Sequence, residues 1–505
     1  MAINIKIYML KQRINKLFQS RHLIFYPIVL GTFIILIHNV ITIIFGLLHP
    51  EPNNPWEAAI IVEAWRNFQG LAIYEDVHHG HATHMYGPFV TFLIGFIFHI
   101  TGPNNYIGRL ISLVSALLIV SLLSKILLRR QNKAIFSLGW ILLFCSNTRV
   151  DNYFIETRPD LTALFFSLVA VLLMYLGYTK QNFKIYIIGV LSLVIGFFFK
   201  QTSIVFAFLP VVVLLLRYDF RSKKRLLLAF LPVIIMIGII LILRYVNPQV
   251  YYYMIDVPKQ YPIRIKLAVQ VFFQILPMNP LFLFCLGETL INQEENVEDR
   301  QKLQWIIGAI IITIPTSILA YSKAGGLDNS LLPAFLAMFA FCLIKFNKYY
   351  TFLKNHTVTY KRRILLALFL SFLVINSVII PIPRGTVSAI SYKKLLLNQY
   401  SRSYSNIIQN SKNLIGKVVC PEDPTIPMYA KGYAGGSIYL EKDSIGWTKL
   451  IPNYTLEEIV SSDYVIDVVN WYQDSLNESS LKKLGFVPFE NNAIDSSSYL
   501  IWRKQ

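Results

Sequence analysis

Long apolar runs separated by mostly basic connectors organise this chain as far as residue 381. They cover residues 23–48, 106–128, 133–147, 161–178, 182–199, 202–217, 225–243, 267–290, 303–321, 328–345 and 363–381. A helix needs about 20 such residues to cross the hydrocarbon core of a bilayer. The pattern therefore predicts eleven spans, with 133–147 and 202–217 at the short end. A twelfth run, "YGPFVTFLIGFIFHI" at 86–100, has only 15 residues, opens on Gly-Pro and contains His99. It predicts a half-buried helix in the interface.

Charge decides the status of that run. With 86–100 lying in the interface, one set of loops holds 24 Lys and Arg residues and the opposite set holds nine. With 86–100 crossing, every later loop changes side and the basic N-terminus (Lys6, Lys11, Arg13, Lys16, Arg21) conflicts with them. Cytoplasmic loops carry the excess of Lys and Arg, so eleven spans and a cytoplasmic N-terminus are expected. The first run is too long for a signal-peptide core and reads as an uncleaved span. Composition agrees: 55% of the 505 residues are hydrophobic, 15% are charged, and mean hydropathy is +0.50. The net charge of +19 sits in clusters between apolar runs. That suits an anionic membrane face and not nucleic acid.

The outer face then carries 49–105, "SNTRVDNYFIETRP", the turn at Lys200, the loop from Arg244 to Lys266, the turn "SKAGGLDNS" and everything after Pro381. The tail mixes polar helical stretches with strand-like runs ("GKVVC", "DYVIDVV", "SYLIW"). The expected division is a transmembrane catalytic domain over 1–382 and a small extracytoplasmic α/β domain over 383–505. Cys145, Cys285 and Cys342 fall in apolar runs and Cys420 in the tail. Their spacing gives neither a disulfide framework nor a zinc motif.

Chemistry concentrates on that outer face. After Pro55, residues 56–69 predict a helix closed by Gly70, suited to lie on the membrane surface. Glu57 sits in its first turn, where free N–H groups favour a carboxylate. Glu51, Glu63 and Glu75 read as solvated loop acids. A second acidic group, "RVDNYFIETRPD", contains Asp151, Glu156, Arg158 and Asp160. Asp160 suits either a helix cap or a chemical role. Arg158 calls for a partner, because charge at a membrane edge is costly. Lys200 opposes the charge bias of its side, and snorkelling is the alternative to a functional role. Fixed acids, several cations and aromatic loops such as "YYYMIDVPKQYPIR" are the equipment for transferring a group from a lipid-linked phosphate. A carboxylate takes a proton from an acceptor hydroxyl, and Arg or Lys stabilises the departing phosphate.

"YEDVHHGHATHMYGP" places four of the nine histidines within seven residues, at His78, His79, His81 and His84. The i, i+3 spacings admit a divalent metal, but Gly80 interrupts a helix and no cysteine accompanies them. The stretch reads as a substrate-loop collar whose imidazoles hydrogen-bond sugar or phosphate, a metal remaining possible.

"PWEAAIIVEAWRNFQGLAIYED", followed by "MYGPFVTFLIGFIFHITGPNNYIGRLISLVSALL", resembles the GT-C glycosyltransferases, in the branch of protein O-mannosyltransferases and lipid A aminoarabinose transferases. Glu57, Gly70, Tyr74, Tyr86, Pro88 and Arg109 fit that family's pattern, and "RPD", "KQT" and "GGLDN" resemble its later outer-face landmarks. The chain departs from it in a lone Glu57 where Asp or an Asp-Glu pair is common, and in its histidine stretch. The resemblance implies an inverting enzyme in a bacterial inner membrane. It would move a sugar from a polyprenyl-phosphate donor to a lipid, glycan or protein acceptor. Glu57 would be base or orienting group, with Asp160 or Asp151 as second acid. Arg158 and Lys200, with Arg244, Arg264 or Lys323, would hold phosphate, while Tyr74, His81, His84 and Tyr86 line the substrate. The competing readings are a lipid or solute transporter, which calls for midplane charges and paired broken helices, and an assembly partner that binds through its tail.

Overall fold

The computed structural model describes residues 46–76, 81–127, 151–217, 222–275, 279–291, 297–324, 326–354, 399–433, 435–445, 451–468, 478–489 and 499–505, with 40, 43, 44, 220 and 476. The runs expected at 133–147 and 363–381, most of 23–48, and His78 and His79 lie outside the described residues.

Helix α1, Pro55–Phe68, forms where the sequence predicts one. The Asn54 side chain accepts from Glu57 N at 3.0 Å, Pro55 opens the first turn, and Gly70 follows the C-cap Gln69 with φ 74°. The helix is buried along nearly its whole length and does not lie free on a surface. Helix α2, Phe89–Thr101, crosses it closely. A Cβ on Gly95 of α2 would stand 2.7 Å from Ala64 O of α1, so only glycine permits this approach.

The membrane bundle continues with α3 (Tyr106–Leu127), α4 (Asp160–Thr179), α5 (Phe183–Phe199), α6 (Leu209–Arg217) and α7 (Lys223–Val246). Then come α8 (Ile265–Ile275), α9 (Pro280–Ile291), α10 (Val297–Tyr321) and α11 (Leu332–Lys354). Among the described residues five helices are long and apolar enough to cross a membrane, or six if α8 and α9, bent by 71°, count as one broken span. Helices α2 and α5 and the stretch 201–217 are shorter apolar helices. Lipid-facing surface is plain on α7, where Ile234, Leu241, Ile242, Tyr245 and Val246 are exposed, as a bilayer solvent requires. The chain is a multi-pass membrane protein.

C-terminal to the bundle, four strands form a mixed sheet: β1 (Val418–Val419), β2 (Tyr464–Val468), β3 (Phe486–Pro488) and β4 (Tyr499–Lys504), in the order β1-β2-β4-β3. β1 runs parallel to β2, and β4 is antiparallel to both β2 and β3, with Ile466 opposite Ile501. Three of these strands fall on the runs that the sequence marks as strand-like. Helices α12 (Gln399–Asn413), α13 (Thr425–Lys431), α14 (Ile438–Ile445), α15 (Asn453–Val460) and α16 (Glu478–Lys483) surround the sheet. Met428 of α13 joins the apolar cluster of α1 and α2, and Leu440 of α14 packs with Ala59 and Tyr253. The α/β unit is thus a roof on α1.

Candidate active site

Two groups of buried polar residues lie beneath that roof. The first centres on Glu57, which is fully buried. Its Oε1 accepts from Arg109 Nε at 2.8 Å, Thr157 N at 3.0 Å and Thr157 Oγ1 at 2.8 Å, and its Oε2 from Asn53 N at 2.5 Å and Arg109 Nη2 at 3.3 Å. Arg109, also fully buried, gives its other donors to the carbonyls of Gly46, His49 and Glu51. This is a closed network: five donors occupy the lone pairs of one carboxylate.

The second group gathers at the mouths of α4 and α5. Lys200 Nζ donates to Asp160 Oδ1, which also accepts from Asn329 Nδ2 at 3.0 Å. Asp160 Oδ2 is buried and has no hydrogen-bond partner among the described residues. Asp160 makes no capping bond, and the Lys200 ammonium turns inward over the Tyr86 ring at 5.3 Å; neither capping nor snorkelling describes them. Arg158 finds its partner in Glu156, Nε to Oε2 at 2.7 Å, and lies over the Tyr153 ring. Burial works against the Arg158 charge, but Glu156, then Tyr86, raise its proton affinity above the ordinary value. Burial pushes Glu156 up, against Arg158, and pushes the Tyr86 hydroxyl up despite Arg158 and Lys200.

Asp160, Lys200, Thr202, Ser203, Asn329 and Ser330 line a small cavity of about 30 Å³. Leu164, Phe206 and Pro333 belong both to it and to an apolar cavity of about 80 Å³ that runs between α3, α4, α10 and α11 as far as Tyr175 and Trp305. A polar, cation-bearing cavity therefore adjoins, across shared apolar walls, a cavity with almost no polar surface.

Next to Tyr86 is a third set. Tyr74 donates to Tyr86 O at 2.9 Å, and Tyr86 N to His84 Nδ1 at 3.2 Å. His81 Nε2 stands 3.0 Å from Glu63 Oε1, with both side chains buried. Glu63 Oε2, His81 Nδ1, Thr83 Oγ1 and His84 Nε2 have no hydrogen-bond partner among the described residues. Burial pushes the Tyr74 hydroxyl up and lowers the His84 imidazole, keeping it neutral. Glu63 and Glu51 are therefore not the solvated loop acids that their positions suggest: both are buried, Glu51 bound by Tyr499 of the roof. Glu75 is tied to Arg66 at 2.7 Å and to His81 N at 2.8 Å, which fixes the loop 81–86 against α1.

Other expected residues lie elsewhere. Arg264 is exposed, and Lys323 donates to Pro258 O at 2.8 Å; their turns are joined by a bridge between Ile263 and Lys323. Arg244 is on the rim of a separate outer pocket. Asp151 begins a 3-10 turn, Asp151–Phe154, and its side chain lies outside the description. Among the described residues no group of three or more His, Cys, Asp or Glu could hold a metal ion. Asn329, bound to Asp160, and Glu156, bound to Arg158, are the members that sequence reasoning did not nominate; Asn329 lay within the quoted "GGLDN".

The fold has counterparts among solved structures. ArnT from Cupriavidus metallidurans bound to undecaprenyl phosphate superposes with a TM-score of 0.56 over 93% of this chain and 97% of its own, at 10% identity. This chain has an ArnT-like fold. The apo form of ArnT from that organism gives the same TM-score and coverage, at 12% identity. Residues 83–250 match the family model described as dolichyl-phosphate-mannose-protein mannosyltransferase. That segment contains the loop 81–86 from Thr83 on, together with Arg109, Arg158, Asp160 and Lys200. No curated protein matches the sequence.

Proposed function

We propose that this GT-C protein moves a sugar from a polyprenyl-phosphate donor to an acceptor hydroxyl or phosphate on the extracytoplasmic face, with inversion. The observation that carries the reading is that the polar Asp160–Lys200 cavity adjoins an apolar cavity across the shared walls Leu164, Phe206 and Pro333. A lipid phosphate has that shape: one anionic head on one long apolar chain. Lys200 and the Thr202, Ser203 and Asn329 groups hold the phosphate oxygens, and Arg158 adds positive potential beside them.

Asp160 is the acid at this cavity with a lone pair to use. Its free Oδ2 takes the proton of the acceptor hydroxyl, and the acceptor oxygen attacks the anomeric carbon. The bond from that carbon to the phosphate oxygen breaks, and the phosphate leaves with the electron pair toward Lys200. A single displacement of this kind inverts the anomeric centre. Glu57, with its acceptor sites occupied, orients the outer loop through Arg109 and Thr157 and keeps the site assembled. The loop 81–86 borders the transferred sugar through His81, His84, Tyr74 and Tyr86. The roof and the site face outward, and the N-terminus is cytoplasmic, as the loop charges support.

The test uses purified protein with a radiolabelled polyprenyl-phosphate sugar and a membrane extract as acceptor source. Transfer of label to a product other than the donor is expected in the wild type and not in Asp160→Asn. Undiminished transfer by folded Asp160→Asn sinks the assignment, and movement of labelled lipid across proteoliposomes without product favours a transporter.

A further inference from the structure

An outer pocket of about 390 Å³ lies between the top of α7, the helical stretch 248–260 and the first outer loop. It is lined by Asp76, Arg244, Gln249, Tyr251, Tyr252 and Asp256, with Pro248. A space of this size holds a mono- or disaccharide-sized group. Its chemistry is mixed and balanced. Asp256 Oδ1 stands 3.3 Å from Lys259 Nζ, and the Arg244 guanidinium and the Lys259 ammonium each lie 5.7 Å from the Tyr251 ring centre. Asp76 and Asp256 of the lining are offset by Arg244 of the lining and by Lys259, which pairs with Asp256 from outside it, so little net field is left and a strongly charged ligand is disfavoured. Carboxylates, an amide and a guanidinium beside two tyrosines instead suit a neutral ring with many hydroxyls, each hydroxyl able to donate and accept.

The pocket is joined to the reaction centre by a run of aromatic contacts. Tyr252 meets Tyr253 edge-on at 5.4 Å, Tyr253 meets Tyr74 at 5.8 Å, and Tyr74 bonds Tyr86, whose ring covers Lys200. A backbone stretch of π-helix at Tyr252–Asp256 divides these residues between pocket and core, Tyr253 and Met254 being buried and Tyr252 and Asp256 lining the pocket. π-helical turns of this kind often mark functional sites.

The geometry points to this pocket as an acceptor subsite for a neutral, hydroxyl-rich carbohydrate group, which deepens the transferase reading and rests on it. An acceptor held there lies at headgroup level, on the outer side of the tyrosines that border the sugar to be transferred.

The probe is methyl α-D-mannopyranoside or methyl β-D-glucopyranoside, observed by saturation-transfer NMR on protein in lipid nanodiscs free of glycoside detergent. The wild type is expected to bind, Gln249→Trp to abolish the signal by filling the cavity, and Asp256→Asn to weaken binding about tenfold, the loss for one hydrogen bond to a charged group. Absence of binding by wild type, equal binding by both variants, or displacement of the glycoside by inorganic phosphate overturns the proposal. Retention of undecaprenyl phosphate, measured on the same samples, tests the transferase reading separately; it is expected to be the same in the variants as in the wild type.

Discussion

Arg109 of α3 grips Glu57 of α1 through two nitrogens, with both side chains fully out of solvent. Removing one partner of such a pair strands the other charge, at a cost of about 3–5 kcal/mol. Glu57→Gln and Arg109→Gln should therefore both lower folded yield and melting temperature. Asp160→Asn strands the buried Lys200 in the same way and should lower them too. Thermal melts of the three variants in the same detergent check this, and a Glu57→Gln protein as stable as wild type with no transfer would move Glu57 from scaffold to chemistry.

Asp160 and Lys200 divide the labour differently. Asp160→Asn should lower kcat by about 10²–10⁴-fold, the range for loss of a general base, while donor binding holds. Lys200→Met should weaken retention of undecaprenyl phosphate by about tenfold or more, as expected for a lost charged hydrogen bond, and Lys200→Arg should recover part of it. A lipid-binding assay beside steady-state transfer separates the two effects.

Gly108 of α3 abuts Thr157, and a Cβ there would overlap its Cγ2 and Oγ1. Thr157 supplies two of the five donors to Glu57. Gly108→Ala should then behave like a mild Glu57 variant, costing about 1–3 kcal/mol through overpacking. The loss in melting temperature should shrink when Thr157 is shortened to Ser in the same protein.

Burial pushes the Asp423 carboxyl from its usual 3.8 up to about 7, with hydrogen bonds from Thr425 opposing. Its Oδ2 has no partner among the described residues, so the protonated form is the one the fold accommodates. A carboxyl with a raised folded pKa binds its proton more tightly folded than unfolded, so stability is full below about pH 4 and falls as pH rises toward 7. At about 1.4 kcal/mol per decade the whole loss is roughly 4 kcal/mol. Asp423→Asn should flatten the stability profile between pH 4 and 7, measured by melting or by hydrogen exchange in α13.

Apolar periodicity made the bundle legible, since a bilayer leaves helices few alternatives. The capping of α1 was equally readable, because Asn-Pro and Gly act locally. Short strands in the tail showed as β-branched and aromatic runs. What the sequence did not disclose is the fate of individual acids. Glu57 and Glu63 lie six residues apart on one helix, yet one is saturated with donors from 53, 109 and 157 and the other faces His81. Those partners are brought in by long-range packing, which local spacing does not encode. The inward turn of α14 was hidden for the same reason: "YLEKDSI" looks like a polar surface helix, but Glu441, Lys442 and Asp443 are all buried in it.

That helix also clamps the roof to the outer loops. Asp443 accepts from Trp56 Nε1 at 2.8 Å and from Tyr261 at 2.6 Å through its carbonyl, and Tyr252 bonds the next carbonyl, of Ser444. Prising the lid upward breaks all three contacts and exposes the apolar face of the first outer helix to water. Sliding in sideways between bundle helices, out of the surrounding lipid, breaks none of them. On the proposed reading, a lipid-borne donor that entered from the side would leave the roof contacts whole and need never quit the bilayer.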